Sequence, residues 1–568
     1  MFKPVLFRLL KEYNIKLFFS DLSSGIIVAI VALPLAIAFA IASGVPPETG
    51  LVTAVVAGFL ISFFAGSRVQ IGGPSGALIV VIYSIVHQHG FEGVIIASIL
   101  AGLMLVIFGF LKAGNIIQFI PYPIVVGFTS GIALMIFTTQ VQELFGIPGN
   151  DVPGDLIGKW SYYFSNLHKI NISAFGIGLL TILIIFLWPR ALRKVPGSLV
   201  AIIISVIIIL YFNIDVETIG SKFGEMKTSF QIPEMPEISF EIIRELLVPA
   251  FTIAMLISME SLFSALVADG STGYRHNPNT ELISHGIANI VSPLFGGMAA
   301  SGALAKTMTN VRSGGKTPMA GVIHAIILLL FLLLLGNLAQ LIPLASLAGI
   351  LVVVSYNMSE WRSFASILKN PKSDVAVLLT TFFLTILFGL DIAIPFGIII
   401  ALILFTKRVM ETSNVEVFHK EVEDEKSHFT EDFEKVEIPH GVEVYQIIGP
   451  FFFGIANKFE EIEKEIKEKP KVRILRFSRV PFIDSTGLKN LRSLINKCHQ
   501  QNIFVILSGV EPKVLASLKK DGIIDLLTWD NVCPTIEAAI LRAKELIHYM
   551  DLDEDQKRIK YSKNYPSD

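Results

Sequence analysis

The sequence predicts an all-α membrane protein of fourteen membrane segments, arranged as two inverted repeats of seven, followed by a small α/β domain. Three observations support this fold class. The 568-residue chain is 52% hydrophobic with a mean hydropathy of +0.64, which is too apolar for a soluble globular protein. The tetrapeptide Ser-Gly-Ala-Leu occurs at residues 75–78 and 301–304, each time after a Gly-rich break. After Lys407 the composition becomes charged.

The N-terminal part of the chain alternates between a polar start and long apolar runs. Residues 1–20 have the pattern of a cytosolic amphipathic segment, and no short apolar region with a cleavage site follows them. Runs close to the roughly 20 residues that cross a bilayer then follow one another. The predicted spans lie near residues 22–43, 47–65, 91–112, 122–142, 171–189, 197–213, 246–268, 281–297, 318–340, 341–356, 373–390 and 392–406.

The two Ser-Gly-Ala-Leu segments, taken as short helices, complete the count of fourteen. An odd number of segments in each repeat inverts the second half. This count places most basic loop residues on the side of the N-terminus, namely Arg68, Lys112, Arg190, Arg193, Lys194, Arg275, Arg312, Lys316, Arg362, Lys369, Lys372, Lys407 and Arg408. Because positive charge concentrates on the cytoplasmic side, we expect a transporter domain over residues 21–408 in a bacterial plasma membrane, with both termini cytoplasmic.

The charged C-terminal part predicts a separate soluble domain. Residues 409–440 are linker-like, and residues 441–550 alternate strand and helix patterns. The predicted elements are strands at 442–448, 472–477 and 503–508 and helices at 455–467, 488–500 and 512–520. The tail at residues 551–568 is short, polar and rich in both charge signs, so we expect it to be disordered.

Several function classes are excluded by composition. The formal net charge of −2 argues against a nucleic-acid partner. Cys498 and Cys533 fit no metal or disulfide pattern. The C-terminal domain shows no Ser-His-Asp or Cys-His constellation and no P-loop, and we expect neither an enzyme nor a cofactor.

The two Gly-rich breaks predict a binding site. Unsatisfied backbone amides are costly in hydrocarbon, so a break at membrane depth must line a cavity or be buried in protein. Two interrupted segments in corresponding places of two halves are typical of a transporter's substrate site. Helix N-termini there offer backbone donors and a positive dipole to a small anion. The candidate donors are Ser75, Gly76, Ala77, Ser301, Gly302 and Ala303. The alternative is close helix packing through small residues.

Three stretches, at residues 32–48, 69–76 and 310–317, closely resemble the SulP (SLC26) anion transporters. The C-terminal domain, with Asp484-Ser-Thr-Gly at a helix start, resembles the STAS module of those proteins. The resemblance covers essentially the whole chain. It implies core and gate domains, an architecture shared with nucleobase permeases, a homodimer, elevator-like alternating access, and an anion held between the third and tenth segments.

Lone charges in apolar runs mark further site residues. Lys306 is the only charged residue between Gly286 and Val311, and a charge at the bilayer centre costs roughly 3 kcal/mol or more. The resemblance implies a basic residue here that helps to hold the anion; the alternative is a lysine that reaches the membrane surface. Phe39 is expected either to close the pocket with its ring edge or to pack in the core.

Glu260 is the sole charge between Glu245 and Asp269, in a stretch that resembles the family's eighth segment. An ionised Glu260 paired with Lys306 leaves the site neutral, whereas a protonated Glu260 leaves it cationic. Anion binding and proton uptake should therefore favour each other. The alternative is a structural ion pair that only fixes helix register.

The coupling ion is expected to be a proton rather than sodium. Sodium-dependent bicarbonate transporters of the family carry Asp at the position of Glu260 and Thr at the positions of Ser264 and Leu304. A leucine cannot ligate sodium, and too few hard oxygens remain for a sodium cage. Glu260 and Ser264 stay the candidate coupling-ion residues.

In the soluble domain, the resemblance places Ser485 where related anti-sigma antagonists are phosphorylated. The alternative is that Asp484 or Ser485 only caps the following helix. The expected roles of the domain are dimer contact, membrane targeting or binding of a cytosolic protein.

These observations favour a proton-coupled symporter or exchanger of a small anion, with bicarbonate, a dicarboxylate such as fumarate or succinate, and sulfate as candidates. The alternatives are sodium-coupled bicarbonate uptake, a nucleobase permease, and a membrane-anchored signalling protein that transports nothing. Lys306 argues against a neutral nucleobase, and Glu260 with Lys306 argues against the signalling protein.

Overall fold

The computed structural model describes residues 2–117, 121–149, 152–153, 156–189, 195–225, 239–388, 390–412, 414–418, 437–452 and 469–564. The chain divides into two compact units, Met1–Leu402 and Ile403–Asp568. The helices up to the end of the apolar region are α1 (Val5–Leu9), α2 (Ile15–Ala42), α3 (Pro47–Phe63), α4 (Ile79–Phe110), α5 (Gly114–Ile117), α6 (Tyr122–Phe145), α7 (Leu156–Ser165), α8 (Ile172–Leu187), α9 (Gly197–Phe212), α10 (Ile219–Phe223), α11 (Phe240–Thr272), α12 (Pro278–Leu294), α13 (Leu304–Arg312), α14 (Met319–Ala339), α15 (Leu344–Met358), α16 (Trp361–Ile367), α17 (Lys372–Phe388) and α18 (Leu390–Thr412).

Each predicted apolar run falls on one of these helices. In the described part of the chain, six helical stretches are long and apolar enough to cross a membrane, by length and composition alone. They are Ile15–Ala42, Gly76–Phe110, Tyr122–Phe145, Phe240–Thr272, Met319–Ala339 and Leu344–Ile367. Shorter apolar helices lie at Pro47–Phe63, Ile172–Leu187 and Gly197–Phe212. The total of fourteen spans stays a prediction.

The N-terminal segment packs against the first helices of the apolar unit. Its helix α1 buries Val5, Leu6 and Leu9, and the Val5 amide donates to the Ala65 carbonyl at 2.9 Å. The next helix, α2, begins at Ile15 because the Asn14 side chain accepts from the Leu17 amide. The first membrane helix therefore starts earlier than its apolar run.

Helix α4 joins the first Ser-Gly-Ala-Leu segment to the predicted span at 91–112. The two parts meet at Gly90, which has φ 66° and ψ −169° and interrupts the helical geometry. Glycine adopts this conformation without a steric penalty. A short helical turn over Gly76–Leu78 leads into the first part.

The helices of the apolar unit pack as two groups. The first group contains α2, α3, α4, α11, α12, α13 and α14, and the second contains α6, α8, α9, α15 and α17. We call them the core group and the gate group. The two Gly-rich breaks both lie in the core group.

The breaks meet as a short antiparallel pair, β1 (Gly72–Gly73) and β2 (Ser301–Gly302). Gly72 lies opposite Gly302, and Gly73 lies opposite Ser301. A Cβ on Gly72 would lie 2.4 Å from Ile61 Cδ1, so the close approach requires glycine. Pairing satisfies backbone groups that hydrocarbon could not.

The second unit contains a five-stranded sheet in the order β3 (Asn414–Phe418), β4 (Val442–Ile448), β5 (Val472–Arg479), β6 (Phe504–Ser508) and β7 (Val532–Cys533). β3 and β4 are antiparallel, and the other neighbours are parallel. The helices are α19 (Ser485–Gln500), α20 (Pro512–Lys520), α21 (Ile523–Leu527) and α22 (Ile536–Asn564). Apolar clusters cover both faces of the sheet.

Two segments of this unit have secondary structure that the sequence patterns did not indicate. Part of the expected linker at 409–440 forms β3, because the alternating sequence Asn-Val-Glu-Val-Phe pairs residue by residue with β4. The expected disordered tail at 551–568 continues α22 as far as Asn564. Extending a helix that is already nucleated costs little, even without further burial. The predicted helix at 455–467 lies outside the described residues.

Candidate functional site

A cavity of about 280 Å³ lies between the core and gate groups. The core group contributes the expected residues Phe39, Ser75, Gly76, Ala77, Glu260, Ala303 and Lys306. The gate group contributes side chains from α6 and α15. The structure therefore brings both broken segments, α11 and the phenylalanine of α2 to one space.

Glu260 joins the two halves of the chain. Ser75 Oγ lies 2.6 Å from both carboxylate oxygens of Glu260, and Ser301 Oγ donates to Glu260 Oε2 at 2.6 Å. Hydrogen bonds to a charged group are worth about 1.5–3 kcal/mol each. The carboxylate is thus held by one serine from each Ser-Gly-Ala-Leu segment, and it still lines the cavity.

Lys306 lies inside the protein, with 2% of its surface exposed. Its Nζ donates to the Pro74 carbonyl at 3.0 Å, so a carbonyl of the first break orients an ammonium of the second. No Nζ–carboxylate distance of 4.0 Å or less joins Lys306 to Glu260, and the expected direct ion pair is not formed. Both charges keep a side facing the cavity.

The backbone donors differ from those expected. The Gly302 amide donates to Ser261 Oγ at 2.9 Å, and the Ala303 amide donates to the Ile71 carbonyl at 3.1 Å. The Ala77 amide donates to Ser75 Oγ at 3.2 Å. These three amides have partners within the protein, and their contact with a ligand stays a prediction.

The available amides lie further along the chain. Helix α13 begins at Leu304, and the first amides of a helix have no acceptor within it. Leu304, Ala305 and Lys306 all line the cavity. The first turn of α13 thus presents amide groups and the positive end of its dipole beside the Lys306 side chain.

Of the two remaining predicted site residues, Phe39 lines the cavity and Ser264 does not. Phe39 is 5% exposed and lines the cavity, so its ring packs inside the protein at the cavity wall. A Cβ on Gly76 would lie 3.6 Å from Phe39 Cε1 and 2.8 Å from Met358 Sδ, so a larger residue there would require the Met358 side chain to move. Ser264 is buried one turn after Glu260, and its Oγ has no hydrogen-bond partner among the described residues.

Sequence reasoning missed the gate side of the cavity. Thr129 of α6, Asn357 and Met358 of α15, and Glu360 beyond α15 all contribute to the lining. Polar residues near the end of an apolar run are common, so the pattern carried no signal for them. Their role follows only from the packing of α6 against α15.

A second missed residue, Glu281, fixes the loop before the first break. Its buried Oε2 accepts from the amides of Gly66 at 2.6 Å and Ser67 at 2.8 Å. The position of Glu281, an acidic residue in the first turn of an apolar helix, could have indicated this role from the sequence. Through this contact α12 anchors the chain that enters β1.

In the second unit, Asp484 Oδ1 accepts from the Gly487 amide at 2.6 Å. Asp484 is therefore the cap of α19, and the exposed Ser485 is its first residue. Within the described ranges no group of three or more His, Cys, Asp or Glu residues could hold a metal ion. Cys498 and Cys533 are buried free thiols.

Comparison with known proteins gives consistent matches. Residues 18–381 match the Sulfate permease family, and residues 435–539 match the STAS domain. The putative sulfate transporter YvdB of Bacillus subtilis is 38% identical over 515 residues, which cover 90% of this chain and 95% of that protein. The bicarbonate transporter BicA of Picosynechococcus is 29% identical over 541 residues, covering 92% and 94%.

Solved structures agree in fold. Murine Solute Carrier 26 family member A9, an anion transporter in the inward-facing state, aligns with a TM-score of 0.84 at 18% identity, covering 95% of this chain and 93% of that one. The transmembrane domain of a cyanobacterial bicarbonate transporter, BicA, aligns with a TM-score of 0.60 at 30% identity, covering 67% and 98%.

Proposed function

Because this chain belongs to the sulfate permease family, we propose that it is a secondary transporter that carries a small anion through the cavity between its core and gate groups. The observation that carries the proposal is the meeting of both Gly-rich breaks beside one buried lysine. There the amides of α13 and the Lys306 ammonium face the same space. Together they can replace the hydration shell of an anion.

The candidate substrates are bicarbonate, sulfate and small dicarboxylates such as fumarate or succinate. The similar proteins described above include a putative sulfate transporter and a bicarbonate transporter. A cavity of about 280 Å³ has room for any of these anions, so size does not choose among them.

Proton coupling rests on the charges in the cavity. With Glu260 ionised, its charge cancels that of Lys306; with Glu260 protonated, the lysine charge is left for the anion. An anion therefore favours proton uptake, and a bound proton favours the anion by the same factor. Sodium coupling is the alternative. The apolar Leu304 side chain in the lining offers no oxygen to a cation.

Alternating access would come from movement of the core group against the gate group, since the cavity lies between them. The protein would act as a homodimer in a bacterial inner membrane with cytoplasmic termini. Its STAS domain would contact the second subunit, the membrane or a cytosolic protein, and exposed Ser485 is accessible to phosphorylation.

Two other functions fit less well. A nucleobase permease would leave the buried Lys306 without a compensating ligand charge. A signalling protein without transport has no need of a cavity that is lined by both broken segments and by buried charged groups.

The test is uptake into proteoliposomes containing the full-length protein. Labelled bicarbonate, sulfate, fumarate and succinate are compared with and without an inward proton or sodium gradient. Uptake of at least one anion above empty liposomes, stimulated by protons, is expected. No anion uptake would overturn the proposed function, and stimulation by sodium alone would replace the proton by sodium.

A further inference from the structure

The anion cavity contains a second carboxylate that anion binding does not explain. Its charged lining residues within the described chain are Glu260, Lys306 and Glu360. Two acids and one base give the lining a formal charge of −1 when both acids are ionised. Only the helix N-termini offset this charge. A carboxylate facing an anion's path therefore requires a reason.

Glu360 is held in place by both its backbone and its side chain. It lies between α15 and α16 with φ 41° and ψ 36°, a left-handed conformation that is uncommon for glutamate. Backbone strain of this kind persists where the surrounding structure imposes it and is frequent at functional sites. The Tyr122 hydroxyl, at the start of α6, lies 3.0 Å from Glu360 Oε2. The carboxylate thus bridges the two gate helices.

Glu360 lies in the more accessible part of the cavity lining. Phe39, Ser75 and Lys306, which also line the cavity, are only 5%, 3% and 2% exposed. Towards the end of α15 the lining becomes accessible, because Asn357 is exposed and Glu360 is partly exposed. An anion that enters from this end passes Glu360 before it reaches Lys306.

We propose that Glu360 is a valence filter that favours monovalent over divalent anions. The inference rests on the proposed function and specifies its substrate class. Coulomb repulsion is proportional to the charge of the approaching ion, so an ionised Glu360 opposes sulfate twice as strongly as bicarbonate. By the same law Lys306 and the N-terminus of α13 attract sulfate more strongly than bicarbonate. With Glu260 and Glu360 both ionised, however, the charged side chains of the lining sum to −1, and this net charge opposes the divalent anion more. The substrate is therefore a monovalent anion such as bicarbonate.

The test compares sulfate with bicarbonate in one preparation of proteoliposomes at pH 7.5. The measured quantity is the ratio of kcat/KM for sulfate to kcat/KM for bicarbonate. Glu360→Asn and Glu360→Asp form a matched pair, because both residues tolerate the left-handed backbone and differ in charge. The neutral Glu360→Asn is expected to raise the ratio about tenfold, as removal of one nearby charge does. Glu360→Asp is expected to keep the wild-type ratio.

A control variant is Glu92→Gln, which removes an exposed carboxylate elsewhere in the same unit. It is expected to leave the ratio unchanged. If Glu360→Asn and Glu360→Asp give the same ratio, the filter is overturned while the proposed function stands. If the wild-type protein carries neither sulfate nor bicarbonate but takes up fumarate or succinate, the filter is overturned and the proposed function stands. If it takes up none of the four anions, both proposals are overturned.

Discussion

Gly73 and Ser301 lie opposite each other in an antiparallel pair that joins the two halves of the chain. The pairing places the serine hydroxyl of the second repeat on Glu260 and the carbonyl of Pro74, next to Gly73, on the ammonium of Lys306. The cavity depends on this crossing, because each repeat orients a charged group that the anion and the proton are proposed to meet.

Replacing Lys306 with glutamine should weaken anion binding strongly. Losing a buried charge that contacts a ligand costs about 3 kcal/mol, or about a 100-fold higher Kd. Isothermal titration with the anion transported best by the wild type measures this change. The control is Lys316→Gln, which removes an exposed lysine from the loop after α13 and should bind normally. Wild-type affinity in Lys306→Gln would show that the lysine does not hold the anion.

In the variant Glu260→Gln, anion transport should no longer be driven by a proton gradient. Glutamine keeps a hydrogen-bonding group near Ser75 and Ser301 but cannot exchange a proton. In the wild type, a gradient of one pH unit should drive about tenfold accumulation of the anion if one proton is transported with each anion. The variant should show no such accumulation and should retain anion exchange across the membrane. Glu241→Gln, an exposed carboxylate at the start of α11, serves as the control. Unchanged proton-driven accumulation in Glu260→Gln would contradict the role of this residue.

Three buried serines near Glu260 should differ in their contribution to stability. Ser75→Ala and Ser301→Ala each remove a donor to the carboxylate and should lower the free energy of unfolding by about 1.5–3 kcal/mol. Ser264→Ala removes a hydroxyl that has no hydrogen-bond partner among the described residues. This change should alter the free energy of unfolding by less than about 0.5 kcal/mol. Denaturant unfolding in detergent micelles measures the difference. Equal effects of all three changes would mean that the serine contacts to Glu260 do not stabilise the site.

In the soluble unit, Asp484→Ala should destabilise α19 by about 1 kcal/mol, because it removes the cap on the Gly487 amide. Ser485→Ala should have little effect, since the exposed Ser485 is the first residue of the helix. Hydrogen exchange of the α19 amides in the full-length protein reports both changes. Faster exchange in Ser485→Ala than in Asp484→Ala would assign the cap to the serine.

The apolar runs and the lone charges could be interpreted from the sequence. A lysine or glutamate within an apolar segment is costly in hydrocarbon, so Lys306 and Glu260 were conspicuous without any structure. The same argument marked both Gly-rich breaks. Their pairing as β1 and β2 is consistent with the expectation that the two segments meet.

The identity of the free amides could not be predicted in the same way. Gly302 and Ala303 were candidate donors because they precede a helix, but their amides are used by Ser261 and Ile71. Which amide remains free depends on contacts with distant parts of the chain. The local sequence pattern does not indicate those contacts.

The amino-acid sequence alone determined that this chain forms membrane helices, that two membrane segments are broken by glycine, and that Glu260 and Lys306 lie within the membrane region. The physical reason is that hydrocarbon penalises exposed amides and charges. Only the tertiary structure decided that Glu360 and Asn357 face the same cavity. It also decided that Lys306 contacts the Pro74 carbonyl instead of the Glu260 carboxylate. These contacts depend on how helices that are far apart in the chain pack together, and the spacing of residues in the sequence does not specify that packing.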